Sequence, residues 1–244
     1  MKKLKMNDER LSKIEASVVH AEHCAQEAVW AHIFHDTIKN SAWLKDQSFS
    51  PGRWAVGYAY LYVLYRFLDE VHPKCILDLG LGQTTKMIAQ YARHYKNVRH
   101  VVVESDPEWV SYFKRNFRVS SSTEILILPY AEREFKGELV RVYDGFSDAL
   151  KDRVFDFISV DAPIGGGGTN VFNRIDIVDL IPNGVTDDVC IMIDDVDRLP
   201  DARTAEYICA KLKKSGFQVK SSVREGEKKL KIIKCQRDMF CLTV

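Results

Sequence analysis

The 244-residue sequence has almost no net charge: 35 Lys and Arg face 34 Asp and Glu, leaving +1 at pH 7. So neutral a chain lacks the phosphate attraction behind most nucleic-acid binding, and nothing in it calls for an anionic membrane surface as partner. Runs of about 20 apolar residues, the length that spans a bilayer, are also missing. The most apolar helical stretch, 54–68, carries Arg66 and several tyrosines. The opening MKKLKMNDER turns from basic to acidic and shows neither the apolar core nor the cleavage site of an export signal. The six cysteines (Cys24, Cys75, Cys190, Cys209, Cys235 and Cys241) form no C-x-x-C pair. They mostly lie in apolar runs, so buried thiols in a reducing compartment, the cytoplasm, are expected. No internal repeat is visible, and the only low-complexity tract is the glycine run 165–168, which sets a solenoid aside.

What is present is a 46% hydrophobic chain, long enough for one large domain with an addition. Residues 11–45 contain no Pro or Gly and repeat apolar positions at spacings of three and four, which predicts a helical N-terminal arm. The SFSPG break at 48–52 precedes a second helix over 54–68, whose aromatics read as core or subunit interface. Beyond Pro73 short apolar runs alternate with helical stretches. Strands are expected at 75–80, 99–105, 124–128, 155–161 and 189–195, with helices at 84–94, 107–117, near 174–180 and at 202–215. Two last strands, 217–224 and 228–235, are separated by Glu225, Gly226 and Glu227 and should form an antiparallel hairpin. The reading is an α/β fold of seven strands, divided into a helical extension, 1–71, and a core, 72–244.

The chemistry-bearing motif opens this sheet. Asp78-Leu79-Gly80-Leu81-Gly82-Gln83-Thr84-Thr85 follows a buried strand and starts a helix, so the glycines let the backbone turn tightly against a ligand beyond the strand ends. The next strand ends at Glu104, about 20 residues on, where a carboxylate can accept from ribose hydroxyls. The third glycine of a dinucleotide fingerprint would fall at Thr85, and a β-branched residue there disfavours pyrophosphate. Asp78 also repels a pyrophosphate and suits a cationic ligand carrying an amino group, a description that S-adenosylmethionine fits.

The stretch from Cys75 to Cys235 resembles the class I S-adenosylmethionine-dependent methyltransferases in its strand pattern, acidic glycine motif, Glu104 and closing hairpin. The resemblance implies a Rossmann-like mixed sheet of order 3-2-1-4-5-7-6 with helices on both faces. It places Asp78, Gly80, Gly82, Gln83, Thr84 and Thr85 around the methionine moiety, Glu104 on the ribose, and Asp161 beside the cofactor. Thr84 stands where many members have a third glycine. The segments FDFISVDAPIGGGG, Asn173-Arg174 and MIDDVDR are similar to bacterial methyltransferases of surface-polysaccharide synthesis and, more distantly, to plant glucuronoxylan O-methyltransferases. This similarity implies a small-molecule or glycan acceptor, such as a uronic acid, held by Arg174 and Arg198, since a guanidinium fork engages carboxylate or phosphate.

Asp161, Asp194 and Asp195 fall at strand ends on the ligand side. They read either as oxygen ligands for Mg²⁺, or with Asp161 or Asp194 as general base, or as helix caps. His20, His23, His32 and His35 form two i,i+3 pairs, but an offset of roughly 18 Å along a straight helix separates the pairs, too far for one zinc site. Glycines 165–168 read as a hinge. Competing functions are a non-catalytic nucleotide-binding scaffold of the same fold and an NAD(P)-dependent oxidoreductase. A homo-oligomer through the N-terminal helices is the partner expected besides the acceptor.

Overall fold

The computed structural model describes residues 2–52, 54–163 and 171–235, with side chains from residue 10 onward. The glycine run 165–168 and Cys241 lie outside the described residues. Helix α1 (Lys2–Ile38) is followed by α2 (Tyr58–Val71), and then by β1 (Cys75–Leu79), α3 (Gln83–His94), β2 (Arg99–Glu104), α4 (Pro107–Asn116) and β3 (Thr123–Ile127). A hairpin of β4 (Tyr130–Phe135) and β5 (Glu138–Tyr143) comes next, then the short α5 (Phe146–Ala149), β6 (Phe155–Val160) and a 3-10 turn at Asp176–Leu180. The chain continues with β7 (Val185–Ile193), α6 (Leu199–Lys214), β8 (Val219–Glu225) and β9 (Lys229–Cys235).

Seven strands form one sheet in the order β3-β2-β1-β6-β7-β9-β8, parallel except that β9 runs antiparallel to both neighbours. With the separate β4-β5 pair left out of the numbering, this is the expected order 3-2-1-4-5-7-6. The hairpin itself is an addition to the seven strands expected. Its strands, YAEREF and ELVRVY, mix charged and apolar residues without a regular alternation, and its turn is Lys136-Gly137, both at positive φ (54° and 83°), the backbone a two-residue hairpin turn requires.

The central strands are apolar on both faces because both are covered. Leu77, Ile158, Val160, Ile191 and Ile193 point into a core shared with β5, the 3-10 turn and α6. The alternate residues Ile76, Phe157, Cys190 and Met192 pack with α2, α3 and the last turn of α1 through Phe34 and Ile38. A smaller cluster of Leu81, Val102, Val110 and Phe113 seats α4. The helix expected over 11–45 ends at Ile38, and the one expected from 54 begins at Tyr58. The segment near 174–180 is a 3-10 turn rather than an α-helix. Of the cysteines described, Cys190 and Cys235 are buried, Cys75 and Cys209 half-buried, and Cys24 exposed.

Register fixes the site. The ladder continues one residue past the strand ends: Gly80 N donates to Val103 O, Asp161 N to Leu79 O, and Asp194 N to Val160 O, each at 3.0 Å. Gly80, Asp161 and Asp194 therefore sit side by side at the carboxyl edge. There the strand order reverses between β1 and β6, the point where α/β sheets open a ligand crevice.

Candidate active site

A cleft of about 640 Å³ lies at this edge, within the range of small-ligand sites. Its walls include Gly80, Gly82, Gln83 and Thr84 from the glycine turn, Glu104, and Asp161, Arg174, Asp195 and Arg198 from the far side. Trp54 to Val56 and Trp109 also line it.

The glycine turn has two different needs for glycine. Gly80 adopts φ +102°, and a Cβ there would stand 3.1 Å from the Ala162 Cβ, so both conformation and space demand glycine. Gly82 is extended, and a Cβ on it would meet no protein atom; it would enter the open cleft. Asp78 is fully buried and does not line the cleft. Its carboxylate accepts from Thr84 Oγ1 (3.0 Å) and Thr85 Oγ1 (2.5 Å), which fastens the turn to the start of α3. The β-branched hydroxyl residues that follow the glycines thus serve the Asp78 carboxylate. Gln83 lines the cleft, but its amide oxygen accepts from Ser50 N (3.1 Å), tying the preceding loop to the turn. Glu104 accepts from Leu81 N (3.1 Å), Ser105 N (2.6 Å) and Asp106 N (3.0 Å) and remains in the cleft wall.

The far wall is an ionic cluster. Oxygens of Asp161, Asp194 and Asp195 lie within 4.8 Å of one another, as the strand ends predict. Arg174, 4% exposed and at φ +54°, donates to Asp195 Oδ2 (2.7 Å), Asp161 Oδ1 (3.2 Å) and Asp194 O (2.9 Å), and pairs with Asp201 at 3.5 Å. Lys228, from the β8-β9 turn, lies 3.3 Å from both Asp194 Oδ2 and Asp195 Oδ1. Arg198, about half exposed, pairs with Asp195 at 3.1 Å.

Burial pushes Asp161 well above the usual carboxylate range, and the Asp194 charge adds to this. Burial with the Asp195 charge raises Asp194 to about 6. For Asp195 burial also works upward, but the charges of Arg174, Lys228 and Arg198 outweigh it and hold it below its ordinary value. Lys228 is raised: burial alone would lower it, but Asp194, Asp195 and Asp161 prevail. Of the two carboxylates of raised basicity, Asp161 lines the cleft, beside buried groups that fix it.

Lys228 was not singled out from the sequence; it lies in a lysine-rich hairpin, and only the pairing register brings it to the carboxylates. The histidine pairs of α1 do not converge: His20 contacts Cys24, His23 pairs with Glu225, and His35 contacts Tyr58.

A divalent ion needs these carboxylates and room beside them for its charge. The oxygens converge, but Arg174 and Lys228 already occupy the cluster with permanent positive charge, so the residues present do not fit a resident metal. The cleft does fit a nucleoside-type cofactor, with a glycine turn open to it and an acid at the end of β2.

No protein-family model and no curated protein sequence matches the chain. Among solved structures, a candidate O-methyltransferase from Klebsiella pneumoniae is similar at TM-score 0.53 and 11% identity, covering 86% of this chain and 99% of that one. The methyltransferase of Podospora anserina, solved bound to S-adenosylhomocysteine, is similar at TM-score 0.50 and 15% identity, covering 95% and 97%. The sheet order, the switch-point cleft and these likenesses agree that the chain has the Rossmann-like fold of methyltransferases.

Proposed function

We propose that the chain is an S-adenosylmethionine-dependent methyltransferase acting on a hydroxyl oxygen of a small sugar-type acceptor, such as a uronic acid. The observation that carries this is the meeting, in one cleft, of the open glycine turn at Gly80–Gly82, the Glu104 carboxylate and the Asp161 carboxylate. Gly82 leaves space for the methionine end, Thr84 and Gln83 border it, and Glu104 accepts from the ribose. The cofactor supplies a methyl group made electrophilic by its sulfonium charge.

The protein's own part is orientation and modest proton work. Asp161 receives the acceptor's hydroxyl proton, and its raised basicity suits that task. Arg174, in the cleft wall, holds Asp161 in place. Arg198, exposed on the cleft wall, engages an acceptor carboxylate or phosphate. In a chain of nearly zero net charge, such an acceptor must be held by local cations of this kind.

Calorimetry with S-adenosylmethionine, S-adenosylhomocysteine and NAD(P) separates the readings. Binding of both sulfur ligands and none of the dinucleotide is expected, and failure to bind either sulfur ligand would falsify the proposal. Binding without methyl transfer to any uronic acid or sugar hydroxyl would favour the non-catalytic scaffold.

A further inference from the structure

We propose that Lys228 is a built-in counter-cation standing where a divalent metal would otherwise sit, so that the carboxylate cluster works on the chain's own ammonium and guanidinium groups. The proposal deepens, and rests on, the reading of this cleft as a methyltransferase site.

Three oxygens face the Lys228 ammonium: it donates to Ala55 O at 2.9 Å and to Asp194 Oδ2 at 3.3 Å, and forms an ion pair with Asp195 Oδ1 at 3.3 Å. The lysine side chain is only 12% exposed.

The turn that delivers it is anchored from two directions. Glu27 of α1 accepts from Glu227 N (3.0 Å), and Trp30 Nε1 donates to Glu225 O (2.8 Å). Within the turn Gly226 N donates to Lys228 O (3.0 Å). Lys228 is thus placed by the fold rather than resting on its surface.

The charge count points the same way. Counted with every carboxylate ionised, Asp161, Asp194, Asp195 and Asp201 face Arg174, Lys228 and Arg198, which leaves one net negative charge. Without Lys228 the cluster would carry two, the charge that one divalent ion neutralises. With Lys228 present, an ion bound to the same oxygens would lie against an ammonium and a guanidinium already sharing them. Hard-cation geometry, with several retained waters, leaves no place for both.

The test is Mn²⁺ binding, followed by the electron paramagnetic resonance of the free ion, in protein without cofactor. Wild-type protein is expected to leave millimolar Mn²⁺ unbound. Lys228→Ala should bind one Mn²⁺ per chain at least about tenfold more tightly, since metal affinity follows the charge and freedom of the carboxylates. Lys228→Gln, which keeps the side-chain length, should show the same gain, and Asp195→Asn added to either variant should abolish it. Tight Mn²⁺ binding by the wild type overturns the proposal, as does the absence of any gain in whichever of the two variants unfolds cooperatively. Binding of S-adenosylhomocysteine to the wild type is measured separately. Its absence would remove the methyltransferase reading while the Mn²⁺ result still decides the role of Lys228.

Discussion

Arg174 faces the carboxylates of Asp161, Asp195 and Asp201 from a buried position, so removing it would leave three carboxylates short of their counter-charge. Breaking a buried ion network from one side costs on the order of 3–5 kcal/mol. Arg174→Ala should lose stability of that size in urea unfolding, whereas Arg174→Lys, which keeps the charge but not the fork, should lose less. Asp176 poses the opposite problem. One of its oxygens accepts from Tyr143 N (2.7 Å) while the other has no hydrogen-bond partner, and burial lifts its pKa from 3.8 to about 7. The folded chain therefore binds a proton there that the unfolded chain releases. The Asp176 contribution to stability is complete below about pH 4 and declines as pH rises to about 7. Asp176→Asn keeps the acceptor for Tyr143 N without the ionisation. Its stability relative to wild type should rise across that window, by on the order of 1–3 kcal/mol at pH 8, measured by denaturation at several pH values. Of these residues the strand-end acids and Arg174 were legible beforehand, and Asp176 and Asp201 were not. Position 174 could be read as an arginine near the site, but its neighbours are supplied by segments 13 to 27 residues away in the chain.

At the scale of elements, Glu27 shows why boundaries read from local pattern drift. Helix α2 begins at Tyr58 because Tyr58 N donates to Glu27 Oε1 (2.5 Å), a capping acceptor from 31 residues upstream, while Gly57 at the cap has no side chain to serve. Nothing near position 54 announces that start. The other oxygen of Glu27 holds the β8-β9 turn, and a Cβ on Gly226 would collide with it. Gly226→Ala should cost about 1–3 kcal/mol, and most of that cost should vanish in the Glu27→Ala background. A double-mutant cycle in thermal unfolding measures the coupling; strict additivity would refute the clamp. The β4-β5 hairpin was missed for a different reason: its strands carry the consecutive charges Glu132-Arg133-Glu134 and no period-two hydrophobic pattern, and Lys136-Gly137 is a less conspicuous turn than Asn-Gly. By contrast β1, β2, β6 and β7 were legible because strands buried on both faces become continuous apolar runs.

At the scale of the whole molecule α1 stands apart, because only its later turns join the core. Leu11, Ile14 and Val18 are 56%, 58% and 61% exposed, and their spacing of three and four continues through Ala21, Ala25 and Ala28, all exposed. An apolar stripe of this period fits a second helix of the same kind. Self-association through α1 is therefore proposed, and sedimentation should show a concentration-dependent dimer that Leu11→Glu with Val18→Glu converts to monomer at unchanged thermal midpoint. Among the described residues no helix is long and apolar enough to cross a membrane.

The sequence by itself determined which segments are strands and that Gly80, Glu104, Asp161 and Asp194 fall at or just past strand ends, while the strand order that brings them to one edge was implied by the family resemblance alone. The strands and their ends depend on hydrophobic period and turn chemistry, which are local. Only the tertiary structure decided the state of those groups. It turned Asp78 toward Thr84 and Thr85, enclosed Arg174 among carboxylates, and brought Lys228 from a distant hairpin to Asp194 and Asp195. The reason is physical: in a buried, low-dielectric site charges must be matched by whatever counter-charges the fold can deliver, and that delivery depends on long-range register that no local pattern encodes.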